Sequence, residues 1–212
     1  QVRMKRLAHA TMTNVWNSTK GDWLKMKKEW NTKIEAAGEK HGVINPKYAS
    51  REGAWMGDNG MSNVVLGTQI IEDGKVVDKK GKSFNGNVSV LDPVACEVVL
   101  RFFMPKDGVR VYNPFGGGVQ FGFVTGDCGY EYLSSEIRQN QCDANNAICQ
   151  DFYSTKWIKS DSSKYTPKQK YDLVFTCPPY YQVEDYLDYD GKPPAGELNS
   201  IPTYEEFRDT LF

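Results

Sequence analysis

From Val109 onward the chain repeats one pattern: a short apolar or β-branched run, a polar or glycine-rich turn, then a helical stretch. The runs VRVYN, YEYLSSE, TKWIK and KYDLVF read as strands, with helices over residues 119 to 127 and 140 to 152 between the first three. Strands that alternate with helices are joined by crossovers rather than hairpins, so they run parallel. The expectation is an α/β fold with a mostly parallel, doubly wound sheet. Ligands of such sheets sit beyond the carboxyl ends of the strands, so those four ends carry the functional argument.

The first end is NPFGGG, residues 113 to 118. Consecutive glycines let the backbone approach a ligand closely and adopt positive φ. A glycine-rich strand-to-helix turn can cradle a nucleotide-like group, although no Lys-Ser/Thr follows to make it a P-loop. The second end carries Glu136, at the tip of the next strand and about twenty residues past the turn. There an acid can hold ribose hydroxyls. The third carries Asp161 in WIKSDSS, which can accept from an amino group or can cap a turn. The fourth is TCPPYY, residues 176 to 181. Prolines hold their carbonyls in fixed directions. Such acceptors can bind both hydrogens of a base's exocyclic amine, and a following aromatic ring can stack on an extruded base.

Upstream, residues 3 to 16 and 20 to 37 read as helices, with Trp16, Trp23, Met26 and Trp30 forming an apolar packing stripe. Residues 43 to 63 read as irregular. Asp73-Gly74 between Ile70-Ile71 and Val76-Val77 predicts a hairpin. Asp92 followed by Pro93 predicts a capped helix whose inner face is Val94, Val98, Val99, Phe102 and Phe103. The domain division expected is 1–87, a helical and hairpin region, and 88–212, the α/β region.

Composition excludes several classes. Hydrophobic residues make up 40% of the 212 residues and charged ones 25%, enough for a packed core. No run approaches the roughly 18 apolar residues of a membrane span, and no signal-peptide pattern opens the chain. The expectation is a soluble, cytoplasmic protein. The five cysteines form no Cys-x-x-Cys pair, and His9 and His41 lie far from them in sequence, so no metal site is expected. Nine basic and four acidic residues put residues 1–40 at +5, and the remaining 172 residues therefore sum to −6 of the overall −1. A basic arm on an acidic body is compatible with contact to a polyanion, and equally with a solvated helix face.

These motifs, in this order, resemble the S-adenosylmethionine-dependent DNA amino-methyltransferases of phage and restriction-modification type. NPFGGG resembles their Asp-Pro-Phe-x-Gly-x-Gly cofactor loop, and CPPY their Asp/Asn/Ser-Pro-Pro-Tyr motif. LDPVACEVVLRFF resembles the helix placed before their first strand, and SEIRQNQCDANN their second-strand segment. The likeness covers roughly residues 88 to 190. It implies a Rossmann-like methyltransferase fold, with Asn113, Pro114, Phe115, Gly116 and Gly118 around the methionine and ribose parts of S-adenosylmethionine. It further implies Glu136 on the ribose hydroxyls and Asp161 on the adenine amino group. Cys177, Pro178 and Pro179 would hold the target amine, and Tyr180 would stack on the base. The methyl would pass directly to nitrogen, without metal or covalent enzyme intermediate.

Two positions depart from the family pattern. Asn113 stands where aspartate is usual, and Cys177 where Asp, Asn or Ser is usual; a thiol is a weak acceptor. Cys177 precedes the proline, the wrong order for a covalent cytosine-C5 nucleophile. The family's sheet has seven strands against four expected here, so a further C-terminal portion or a second chain is expected to complete it. Three readings stay open: a DNA amino-methyltransferase or part of one, a non-catalytic relative binding DNA or a partner protein, and another DNA base modification on the same scaffold. RNA or protein substrates are compatible with the motif, and cysteine does not choose between adenine and cytosine.

Overall fold

The computed structural model describes residues 21–43, 70–72, 75–77, 91–179, 181 and 193–211. The helix expected over residues 3 to 16, the stretch from 44 to 63, Trp16, the Asp73-Gly74 turn and Tyr180 lie outside them. The elements in chain order are α1 (Gly21–Lys40), β1 (Ile70–Glu72), β2 (Lys75–Val77), α2 (Pro93–Phe103), β3 (Arg110–Asn113) and α3 (Gln120–Asp127). Then follow β4 (Glu131–Glu136), α4 (Gln139–Ile148), β5 (Thr155–Lys159), β6 (Leu173–Val174), a 3₁₀ turn (Leu198–Ser200) and α5 (Tyr204–Leu211). The hairpin is present, with β1 and β2 antiparallel and Ile70 opposite Val77.

The main sheet has the order β5-β4-β3-β6, and all its strands are parallel. The chain steps outward from β3 to β4 to β5, then returns to the other side of β3. That reversal opens a crevice beyond the carboxyl end of β3, where ligands of open α/β sheets bind. The sequence places NPFGGG on β3, Glu136 on β4 and TCPPYY after β6, so the three flank this switch point.

Helices α3 and α4 pack on β4 and β5, and α1 touches α2, α3 and α4, so the four make one layer. No described helix covers the opposite face. There Tyr112 lies between the rings of Tyr165 and Tyr171, at centroid distances of 6.3 and 5.3 Å, and its hydroxyl is hydrogen-bonded to Ser135.

Three expectations are corrected. First, α1 does not stand apart from the 88–212 region as the expected division implies. Trp23, Met26, Trp30 and Ile34 belong to the same buried cluster as Val111, Phe121, Tyr132 and Trp157. Burying side chains of this size contributes about 1.5–3 kcal/mol each, which makes α1 a wall of the core although the chain between residues 40 and 91 separates it in sequence. Trp30 Nε1 also donates to the fully buried Glu97 at 2.7 Å. The basic charge of α1 answers the acidic body: Lys27 pairs with Asp92, Lys33 with Asp127, and Lys40 and His41 with Asp151, all between 2.7 and 2.9 Å. Three lysines of the expected polyanion arm thus serve internal fastening.

Second, α2 is buried by depth along its axis rather than by one stripe. Asp92 Oδ1 caps it by accepting from the Val94 amide at 2.9 Å, with Pro93 at the first position. Val94, Cys96, Glu97, Val98 and Leu100 are buried, but the last turn protrudes, leaving Phe102 53% and Phe103 69% exposed. Third, the fourth strand is short. Only Leu173 and Val174 pair with β3, and Val174 is 60% exposed because β6 is the sheet edge among the described residues.

Candidate functional site

The glycine loop is shaped by the end of β3. Asn113 is 3% exposed, and both ends of its amide are used locally. Nδ2 donates to the Tyr132 hydroxyl at 3.1 Å, and Oδ1 accepts from the Phe115 amide at 3.2 Å, an Asx turn that reverses the chain. Gly116 then donates to the Ser135 carbonyl at 2.7 Å, adding one more rung between the ends of β3 and β4. A Cβ on Gly116 would lie 2.6 Å from Ser134 Oγ, 2.9 Å from the Ser135 carbonyl and 2.9 Å from the Trp157 ring. Only glycine lets the loop press this close to β4. Gly117 takes φ +51°, which turns its amide toward β4.

That amide finds Glu136, whose Oε2 accepts from it at 2.8 Å. Oε1 accepts from the Arg138 amide at 3.0 Å and from Arg138 Nε at 3.1 Å. The two side chains are 7% and 5% exposed. A carboxylate offers about four lone-pair sites, so Oε2 keeps acceptor capacity beyond its one bond to the loop.

Asp161, past the end of β5, is used as a turn cap. Oδ1 accepts from the Ser163 amide at 3.0 Å and the Ser163 hydroxyl at 2.6 Å, while Oδ2 accepts from Lys164 at 2.7 Å. The Lys164 ammonium first, and the Ser163 hydroxyl next, hold its carboxyl below the usual carboxylate range. Neighbouring Ser162 donates to the Pro114 carbonyl and ties this turn to the glycine loop.

After β6 the chain is less enclosed. Thr176 Oγ1 is buried with no hydrogen-bond partner. Cys177 is exposed, and Pro178 and Pro179 are half-buried. The segment from 193 to 211 returns over the crevice. Gly196 has φ +90°, and a Cβ there would lie 3.4 Å from Asp161 Oδ2. Glu197 is 7% exposed.

Together these parts enclose one cavity of about 480 Å³, within the range of about 300–1,000 Å³ that suits a nucleoside-sized ligand. Pro114, Phe115, Gly116, Glu136, Asp161, Cys177 and Pro179 line it. Asn113, Gly118 and Pro178 do not: Asn113 shapes the loop from beneath. Sequence reasoning missed Gly117, Arg138, Ser162, Lys164, Glu197, Leu198, Thr210 and Leu211, which also line the cavity. Arg138 had a local signal, since a guanidinium two residues after a strand-end acid can return to it. Lys164, three residues after Asp161, had the same kind of signal. The residues from 197 to 211 had none, because their place depends on where a long connection lands.

The cavity wall carries three acids (Glu136, Asp161, Glu197) and two bases (Arg138, Lys164). Among the described residues no group of three His, Cys, Asp or Glu side chains could hold a metal ion. Among them, too, no helix is long and apolar enough to cross a membrane. Compared with protein-family models, with curated proteins and with solved structures, the chain matches none.

Proposed function

We propose that this chain binds S-adenosylmethionine in the crevice beyond β3 and transfers its methyl group to the exocyclic amino nitrogen of adenine or cytosine in DNA, as part of a larger enzyme. One observation carries the reading. A glycine loop, a strand-end acid and a Pro-Pro turn come from three separate stretches of sequence and line one nucleoside-sized cavity at the switch point. Such convergence is expected of a methyltransferase and is not required of an ordinary turn.

The residues present fit the cofactor. Gly116 and Gly117 bring bare backbone to the wall, where the carboxylate of Glu136 can accept from ribose hydroxyls. The group, when bound, supplies an electrophilic methyl on a sulfonium. The protein therefore needs to orient the acceptor amine and exclude water rather than provide a nucleophile. The motif assigns the amine to the Pro178 carbonyl, with help from the Thr176 hydroxyl and the Cys177 thiol a weak third, although of these three only Cys177 lines the cavity. Tyr180 is assigned to base stacking by its place in the motif. A further strand, from a continuation of the chain or a second chain, is proposed to pair with the exposed edge of β6.

A second reading has its own support. The Asn113 amide is consumed within the loop and offers no charge to a cofactor amine, and Cys177 weakens the clamp. Those features suit a non-catalytic module that binds DNA or a partner. Isothermal titration with S-adenosylmethionine, followed by mass spectrometry of nucleosides from DNA incubated with the protein, separates the two. Micromolar binding and a new methylated base support the enzyme. No binding, with any missing portion supplied, leaves the module reading.

A further inference from the structure

The second tyrosine of TCPPYY is unassigned by the reading above, yet it makes specific contacts of its own. Tyr181 lies 5.7 Å from the ring of Tyr204 and 5.4 Å from that of Phe207, centroid to centroid, and both belong to α5. Its hydroxyl donates at 2.7 Å to the carbonyl of Pro202, just before α5 begins. Tyr181 thus grips the helix by its side chains and by the backbone leading into it. Phe207 is 6% exposed but stands outside the main buried cluster, so this aromatic group is a satellite core of its own.

Tyr204, Phe207 and Leu211 recur at i, i+3 and i+7, which places them on one stripe of α5. The stripe meets Tyr181 at its first two positions. One turn further on, Leu211 and its neighbour Thr210 line the cavity. Two residues before Tyr181, Pro179 lines it as well. Among the described residues, the Tyr181 ring therefore links the Pro-Pro stretch to the helix that roofs the crevice.

We infer that Tyr181 is a positioning residue that couples the Pro-Pro turn to α5, so that α5 closes over the ligand only while seated on this ring. The inference rests on the reading that the cavity holds S-adenosylmethionine. Ligand binding should order α5, and the order should depend on Tyr181 although Tyr181 does not line the cavity.

The test uses the full chain, S-adenosylhomocysteine as an unreactive probe, and amide hydrogen exchange. In the unmodified protein the probe should slow exchange over residues 204–211. Tyr181→Ala should weaken probe binding about tenfold and abolish that slowing, while β3 and β4 exchange as before. Tyr181→Phe keeps both ring contacts and loses one exposed hydrogen bond. It should restore the slowing and bind within about threefold of the original. Unchanged binding and unchanged α5 protection in Tyr181→Ala overturn the inference. So does faster exchange throughout β3 and β4, which would mark a general structural role. If the unmodified chain fails to bind the probe even with the strand proposed to complete the sheet supplied, the function proposed above falls. Exchange of α5 in the unliganded Tyr181→Ala protein then still decides whether Tyr181 seats the helix: unchanged exchange refutes the seat.

Discussion

The two sides of the crevice are built differently. On the side of β3 and β4 the key groups are tied closely in place. Glu136 is tied to Gly117 and Arg138, Asn113 to Tyr132 and Phe115, and Gly116 is pressed onto Ser134, Ser135 and Trp157. On the side of β6 and α5, among the described residues, the edge strand is two residues long, Tyr181 packs on Tyr204 and Phe207, and Cys177 is exposed. Regions with few buried contacts open locally at low free energy, and ligand-gripping elements are drawn from them. Under the function proposed above, a rigid wall facing a looser roof would hold the cofactor in a fixed shape while a bulky substrate enters from the other side.

The comparison breaks first at Glu136. Glu136→Ala removes one partner of the nearly buried Arg138 guanidinium together with the tie to the Gly117 amide, and should cost about 1.5–3 kcal/mol in urea unfolding. A loss below 1 kcal/mol would show the wall to be no tighter than the roof. Next is Gly116→Ala, whose new methyl meets side-chain and backbone atoms at 2.6–2.9 Å. It should destabilise by about 1–3 kcal/mol and also reduce cofactor affinity, both readable from one set of titrations.

On the roof side, Cys177→Ser should change stability by no more than about 0.5 kcal/mol, as expected of an exposed site. A serine hydroxyl is a better acceptor than a thiol, so methyl transfer should hold or rise. Abolished transfer would show that the thiol does something the proposed clamp does not require. The smallest effect concerns Asp161. Its folded carboxyl is held below the usual value, so its stabilising contribution is present above about pH 4 and is lost as pH falls through the folded value. Asp161→Asn should flatten this acid limb in a pH series of thermal midpoints. An unchanged limb would mean that the ties to Lys164 and Ser163 do not persist in solution.

How legible was this arrangement beforehand? The strand ends were, because period-2 apolar runs and glycine turns are local signals. β3, β4 and β5 fall where VRVYN, YEYLSSE and TKWIK predict them. The cap of α2 was legible for the same reason, since Asp92 and Pro93 act within one turn. The role of Asn113 was not: its neighbours predict a ligand contact, but Tyr132, nineteen residues on, claims its amide. Nor could the exposure of Phe102 and Phe103 be read, because it depends on how far α2 extends beyond the helices it packs against.

By itself, the sequence determined the α/β alternation, the hairpin, the caps and the four strand-end motifs, all of which are set by dihedral preferences and hydrophobic period over a few residues. Tertiary structure alone decided that α1 is a wall of the core, and that its lysines fasten it to Asp92, Asp127 and Asp151. It also decided that α5 comes back over the crevice, seated on Tyr181. These are contacts between residues far apart in the chain. Which of many possible partners each side chain meets is fixed only when the whole core packs.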